Sequence, residues 1–402
     1  MLQYGGTGTA DGGGSGGDTV APTPAGVHLP KVGAQRGPRR RLVLLIGSLW
    51  VGGAERQLVT LAQHLDQSKF EVILVTYRAV PPGMAQFPAP AGVRHVQAPS
   101  SRRNVLALAL VLRRLQATWI YSFLPGANLR LLLCRPLLGG VHLVCGMRST
   151  LAPEQLSSQR ERVLLRFEWG LQRWADAVVS NSEAGRRLLL RATQGKVKAR
   201  VVYNGIDTER FRPNAAAGLR VRQQWGIPAG AAVVGIISRL DPVKNHTLFL
   251  QAAAQMPPDV HFLCVGGGKA DYAQALRAQA QRLGLGLRMH FVGERTDLEA
   301  LYSSLNLCTL SSDSEGFPNS LGEAMACEVP CVGTDVGDTT YLVGDTGMVV
   351  PAGDAAGLAA AWQAVLGWEP AVAGARCRQR ILNEFGAGTA ALQTAAVLEA
   401  LL

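Results

Sequence analysis

The sequence predicts an α/β fold of two doubly wound domains in tandem, facing an interdomain cleft. At 402 residues, with 48% hydrophobic, 6% aromatic and 17% charged residues, the chain is too apolar for disorder and too long for one ordinary core. Short, uniformly apolar runs of the kind buried in parallel sheets alternate with segments whose apolar residues recur at helical spacing. The alternation passes through once, meets the Asn-Gly turn of VVYNGIDTERF (201–211), and begins again. Each half therefore reads as one Rossmann-like domain.

Taken in order, residues 1–38 hold Gly, Ser, Thr and Pro with almost no large apolar side chain, which predicts a disordered tail. Its GTGTAD has the look of a dinucleotide loop, but no strand precedes it. The first domain, 39–204, opens with the strand RLVLLIG, the glycine loop SLWVGG, the helix AERQLVTLAQHL and the strand FEVILVTY. A helix at 105–115, strands at 119–123 and 141–145, a helix at 155–175 and a strand at 177–180 complete it. The second domain, 205–384, repeats the rhythm: AAVVGIIS, a helix after Asn245, VHFLCVGGG, a helix at 273–283, LRMHFVG, a helix at 297–303, LCTLSS, a helix after Pro318, and VPCVGTD. Residues 385–402 predict a C-terminal helix.

No apolar run approaches the roughly 20 residues of a membrane span, and the first residues lack the basic start and apolar stretch of a secretory signal. A cytoplasmic product is expected. Seven cysteines without C-x-x-C spacing read as reduced core thiols, with Cys327 and Cys331 four apart on one helix. The net charge of +11 is unevenly placed. Through Gly205 there are 26 basic against 10 acidic residues, and from Ile206 on the balance is mildly acidic. Such asymmetry predicts a binding surface for something anionic, a lipid head group, a nucleic acid or a diphosphate.

The chemistry concentrates in SSDSEGFPNSLGEAMACEVPCVGTDVGD (311–338). Glu315 sits in a strand-end loop, and Pro318 favours a first helical turn. The backbone N–H groups of Asn319, Ser320 and Leu321 are then unsatisfied helix donors suited to a phosphate. Glu323, one turn on, would repel a phosphate and is better placed to accept from sugar hydroxyls, although simple dipole complementation also explains a carboxylate there. Glu315, at the cleft mouth, is placed to face positive charge developing on an anomeric carbon. In SRLDPVKNH (238–246), Arg239 and Lys244 occupy another strand-end loop, where two cations meet the charge of a departing diphosphate. In the first half, Gly52 and Gly53 permit close backbone approach at a helix start, though a tight turn accounts for Gly52 equally well. Arg148 in GMRST ends a strand; it reads as a contact for an anionic acceptor or as a solvated loop arginine.

From Arg41 onward the chain resembles the retaining GT-B glycosyltransferases of family GT4. GGAERQLVTLA, VVSNSEA, VVYNGID, SRLDPVKNH, FVGERTDL, EGFPNSLGEAMACEVPCVGTDVGD and GDTGMVVP occur in that family's order. The resemblance implies that Arg239 and Lys244 neutralise the donor diphosphate and that backbone around Phe317, Asn319, Ser320 and Leu321 contacts phosphate and sugar. It implies that Glu323 holds the ribose, Glu315 lies beside the transferred sugar, the loop after Val292 borders the base, and Gly53 approaches from the other domain. It also implies retention of configuration and a lipid-linked or glycan acceptor in cell-surface polysaccharide or glycolipid synthesis. Where relatives carry a histidine near the sugar, this sequence has Phe123.

No Asp-x-Asp occurs, so no metal clamp is expected, and no cofactor beyond the nucleotide-sugar donor. A nucleotide-sugar epimerase is the competing enzyme reading. An oxidoreductase is disfavoured because VGGGK (265–269) lacks the third glycine and the later acidic residue. Nucleic acid is not expected as a partner, since the basic half lacks interleaved aromatics. An anionic membrane surface is expected instead, with Arg102, Arg103, Arg113 and Arg114 flanking the apolar VLALALVL, which reads equally as a buried helix.

Overall fold

A computed structural model describes residues 39–50, 52–80, 86–99, 105–148, 150, 152–156 and 158–402. The predicted tail and Arg102 and Arg103 lie outside them.

The first half forms a seven-stranded parallel sheet of β1 (Arg40–Ile46), β2 (Phe70–Thr76), β3 (Arg94–Gln97), β4 (Trp119–Phe123), β5 (His142–Met147), β6 (Ala177–Ser180) and β7 (Ala199–Val201). Its order is β3-β2-β1-β4-β5-β6-β7. The connecting helices are α1 (Gly53–His64), α2 (Val105–Arg114), α3 (Pro125–Leu138), α4 (Gln159–Leu171) and α5 (Glu183–Ala192). The apolar run of β1 follows from its central place: Leu42, Leu44 and Ile46 enter the core on one face, Val43 and Leu45 the core on the other.

The second half repeats the plan. After α6 (Ala215–Gln224), strands β8 (Val233–Ile237), β9 (His261–Val265), β10 (Met289–Gly293), β11 (Leu307–Leu310), β12 (Cys331–Thr334) and β13 (Met348–Val350) form a parallel sheet of order β10-β9-β8-β11-β12-β13. Its helices are α7 (His246–Ala253), α8 (Ala270–Arg282), α9 (Leu298–Tyr302), α10 (Asn319–Ala326), α11 (Thr339–Val343), α12 (Ala355–Leu366) and α13 (Pro370–Arg380). A π-helical turn, Ile381–Phe385, leads into α14 (Ala387–Glu399). Helix α14 leaves the second half and packs on α1, adding Ala391 and Leu398 to the core of the first. Where it crosses, Ile206 and the 385–387 segment exchange backbone hydrogen bonds of 2.8 and 2.9 Å.

Two local expectations are corrected. The helix read over 155–175 is shorter, because Pro153–Gln155 and Gln172–Trp174 form separate 3₁₀ turns around α4. Cys327 and Cys331 do not share a helix: Cys327 caps α10, Glu328 turns left-handed with φ of 63°, Pro330 bars further helix, and Cys331 opens β12. All seven cysteines are free and buried. Among the described residues no helix is long and apolar enough to cross a membrane.

Candidate active site

Each sheet has one point where its connections depart in opposite directions, between β1 and β4 and between β8 and β11. The crevices beyond the carboxyl ends of such strands are where doubly wound sheets bind ligands. Here they share one cleft of about 680 Å³, reached by Gly52 and Gly53 after β1, Arg148 after β5, Ser238 and Arg239 after β8, and Glu315 after β11.

On the second-half wall, Asp241 accepts from the backbone of Val243 and so shapes the turn that carries Lys244. Lys244 Nζ then meets Glu315 Oε1 at 2.5 Å, and Ser312 Oγ donates to the same oxygen at 2.6 Å. Arg239 is 76% exposed, its nearest carboxylate Asp241 at 3.8 Å. Behind this loop, burial and then the neighbouring Lys244 charge push the His246 imidazole down to about 4. Gly337, with φ of 60°, brings the DVGD loop against the carbonyls of Glu315 and Gly316, where any Cβ would collide.

Helix α10 starts at the cleft, with Asn319 and Ser320 on the wall. Glu323 is almost fully buried one turn along. Its Oε1 pairs with Arg56 of α1 at 2.5 Å, and its Oε2 accepts from the Tyr302 hydroxyl at 2.9 Å. The carboxylate therefore bridges the two halves, and each oxygen retains lone-pair capacity.

From the first half, Gly53 faces Asn319 across the cleft: a Cβ there would lie in ordinary contact, 3.4 Å from Asn319 Nδ2. Asn319 Oδ1 accepts from Asn204 at 2.8 Å. Arg148 donates to Asn204 Oδ1 at 2.9 Å and to the Tyr121 hydroxyl at 2.6 Å, and its guanidinium lies 4.1 Å from the centre of the Phe123 ring. Beneath β5, Asn128 ties the Gly146 carbonyl to the buried Glu168, whose carboxyl is raised to about 7 by burial. The halves meet again where Asp338 accepts from the backbone N–H groups of Glu183 and Ala184 at the start of α5. Thr150 donates to the Glu315 carbonyl at 2.5 Å.

Residues 231–367 match the family model described as glycosyl transferases group 1, and residues 51–210 match that of glycosyltransferase family 4. A lipopolysaccharide core biosynthesis mannosyltransferase, LpsB of Rhizobium meliloti, is 31% identical over 244 residues, which span 58% of this chain and 68% of the relative. The chain belongs to the group 1, family 4 glycosyltransferases. The Anabaena protein HepE in complex with UDP superposes with a TM-score of 0.74 at 25% identity, covering 90% of this chain and 100% of that one. Its complex with UDP-glucose gives 0.75 at 26%, over 90% and 99%. The fold is GT-B, and the chain is a glycosyltransferase; these matches favour sugar transfer over the epimerase reading.

In this glycosyltransferase the structure brings Gly53, Arg148, Arg239, Lys244, Glu315, Phe317, Asn319, Ser320 and Glu323 to one cleft. One expectation changes. Leu321 is not a free donor: its N–H bonds the Pro318 carbonyl at 3.1 Å and its side chain lies in the core, because the first turn of α10 closes on Pro318. Phe317 lines the cleft, yet its ring packs on Tyr203 and Phe385. The residues missed were the partners. Arg56 stands three positions after Gly53 in GGAER, and Asn204 precedes the Asn-Gly turn glycine, but nothing in one-dimensional spacing pairs them with Glu323 and Asn319. The VGGG loop (265–268), set aside as a dinucleotide motif, also lines the cleft.

Proposed function

We propose that this glycosyltransferase moves a sugar from a nucleotide-diphosphate sugar to a lipid-linked or glycan acceptor with retention of anomeric configuration, in cell-surface polysaccharide or glycolipid synthesis. The observation that carries the donor reading is the convergence of Arg239, Lys244 and the start of α10 on one cleft. As the glycosidic bond breaks, negative charge builds on the departing diphosphate, and pre-placed cations and helix N–H groups stabilise it without reorganisation. In this reading Glu323 accepts from the ribose, Glu315 lies beside the transferred sugar, and Gly53 leaves room for the diphosphate. The donor base lies against the loop after β10. UDP and UDP-glucose bound to HepE support a uridine donor as the first to test.

The domain division proposed is 39–204 for the acceptor and 205–384 for the donor, with 385–402 returning as a helix. No metal is assigned to the reaction: the chain has no Asp-x-Asp, and no cluster of three His, Cys, Asp or Glu suited to a metal occurs among the described residues. The proposed location is the cytoplasm, peripheral to the inner membrane face. Supporting it, Leu106 and Leu110 of α2 and Val163, Leu164 and Phe167 of α4 are exposed beside arginines.

Incubation with a panel of nucleotide sugars, in EDTA and with added Mg²⁺, tests this reading. Slow hydrolysis of one donor, equal in both conditions, is expected. Absence of both binding and hydrolysis across the panel overturns it, and strict dependence on Mg²⁺ overturns the metal-free assignment.

A further inference from the structure

Among the described residues, the cations lining the cleft are Arg56, Arg148, Arg239, Lys244 and Arg295, and each has a carboxylate within 4 Å except Arg148. The guanidinium of Arg148 offers five N–H donors. Tyr121 and Asn204 take two, and Nε is buried with no partner. Burial pushes its pKa down, as expected of a cation held in a weakly polar setting without a counter-ion. A purely structural role at this position needs no charge, since a neutral amide also donates to a hydroxyl and a side-chain carbonyl. A partly buried charge without a counter-ion is costly, and the cost is relieved when an anion arrives.

We propose that Arg148 is the receptor for an oxyanion carried by the acceptor, phosphoryl or carboxylate, so that the enzyme's acceptor is an anionic molecule. This rests on the glycosyltransferase reading of the cleft. The side follows from the topology: the donor elements, Arg239, Lys244 and α10, all belong to the second sheet, whereas Arg148 projects from β5 of the first. The depth follows from the hydrogen bonds. Asn204 joins Arg148 directly to Asn319 at the start of α10, so an anion on Arg148 sits one side chain away from the proposed donor phosphates. The guanidinium carbon lies 4.1 Å from the centre of the Phe123 ring and cannot swing to the solvent without losing that contact, and Asn204 and Tyr121 take only one donor on each terminal nitrogen, which leaves the others for an oxyanion.

Calorimetric titration tests the assignment on the full-length protein saturated with UDP. Three probes separate the sources of the oxyanion: glucose 1-phosphate, a short-chain polyprenyl diphosphate, and glucuronic acid. At least one is expected to bind, and the R148Q variant is expected to weaken it about tenfold or more while UDP affinity stays within about twofold. R148K, which retains the charge without the fork, should fall between them. Far-UV circular dichroism and Tm establish that each variant is folded; should R148Q not fold, R148K alone decides, by weakened anion binding with unchanged UDP binding. Binding of no probe, or equal binding to both proteins, overturns the inference. A loss of UDP affinity as large as that for the anion reassigns Arg148 to the donor and also overturns it. Failure of UDP to bind the wild type overturns the donor reading instead, and the same titrations in the empty cleft then decide for Arg148.

Discussion

Lys244 Nζ lies 2.5 Å from Glu315 Oε1, so the cation expected to meet the diphosphate and the carboxylate expected beside the sugar form one ion pair. Removing either partner leaves the other without its counter-ion in a partly desolvated cleft. Lys244→Ala should weaken donor binding about tenfold or more in calorimetry. Unchanged affinity would detach Lys244 from the donor.

Glu315→Gln keeps the size and a hydrogen-bonding oxygen but removes the charge. It should lower kcat about a hundredfold with little change in donor KM. Glu323→Gln, on the helix behind, should act on donor KM instead. Equal KM changes with unchanged kcat for both variants would abolish this division.

Arg56→Ala should destabilise the protein by about 3 kcal/mol in urea unfolding, because it leaves the nearly buried Glu323 carboxylate with only the Tyr302 hydroxyl. The same variant should raise donor KM. A change in stability below about 0.5 kcal/mol would show that the pair is not held in solution.

Glu168 gives a pH signature. Its carboxyl titrates near 7 in the folded protein against 4.5 ordinarily, so the folded state holds a proton that the unfolded state has released. Stability is therefore lost as pH rises from about 4.5 to about 7 and levels off above. Glu168→Gln should remove that slope, and its advantage in stability over the wild type should grow by about 2 kcal/mol between pH 5 and pH 8. Parallel curves would place the carboxylate in a better solvated setting.

Anionic vesicles should sediment the protein, less so as salt rises through the screening range, and less when Arg102, Arg103, Arg113 and Arg114 become glutamine. Equal recovery with neutral and anionic vesicles would leave the basic half without a membrane role.

Much of the architecture was legible in the sequence because buried parallel strands advertise themselves. LVLLI (42–46) and VVGII (233–237) carry no polar side chain and WIYSF (119–123) only the Ser122 and Tyr121 hydroxyls, and the structure places all three in the sheet interiors. Short edge strands such as Arg94–Gln97 and Met348–Val350 are too brief for their apolar residues to stand out, and α3 is absent from the sequence reading because Pro136 and its direct succession to β4 mask the helical spacing of Ala127, Leu131, Cys134 and Leu138. At the site, loop position and residue type point to residues that the structure brings to one cleft. What spacing does not encode is pairing across 267 positions, as between Arg56 and Glu323, or the docking of Asp338 on a helix 155 positions earlier. Those contacts exist only once two sheets face each other.

The return of α14 to the first half has a mechanical meaning. The polypeptide passes between the halves twice, near Gly205 and near Gly386, and the two passages are clamped together through Ile206. A Cβ on Gly205 would strike Ala387, so the passages touch with no space between them. The two crossings therefore act as one joint between the halves and not as two separate linkers. The contacts of Arg56, Thr150 and Asp338 add three further ties between the same two halves, each far along the chain from that joint's Gly386 crossing or its Gly205 crossing.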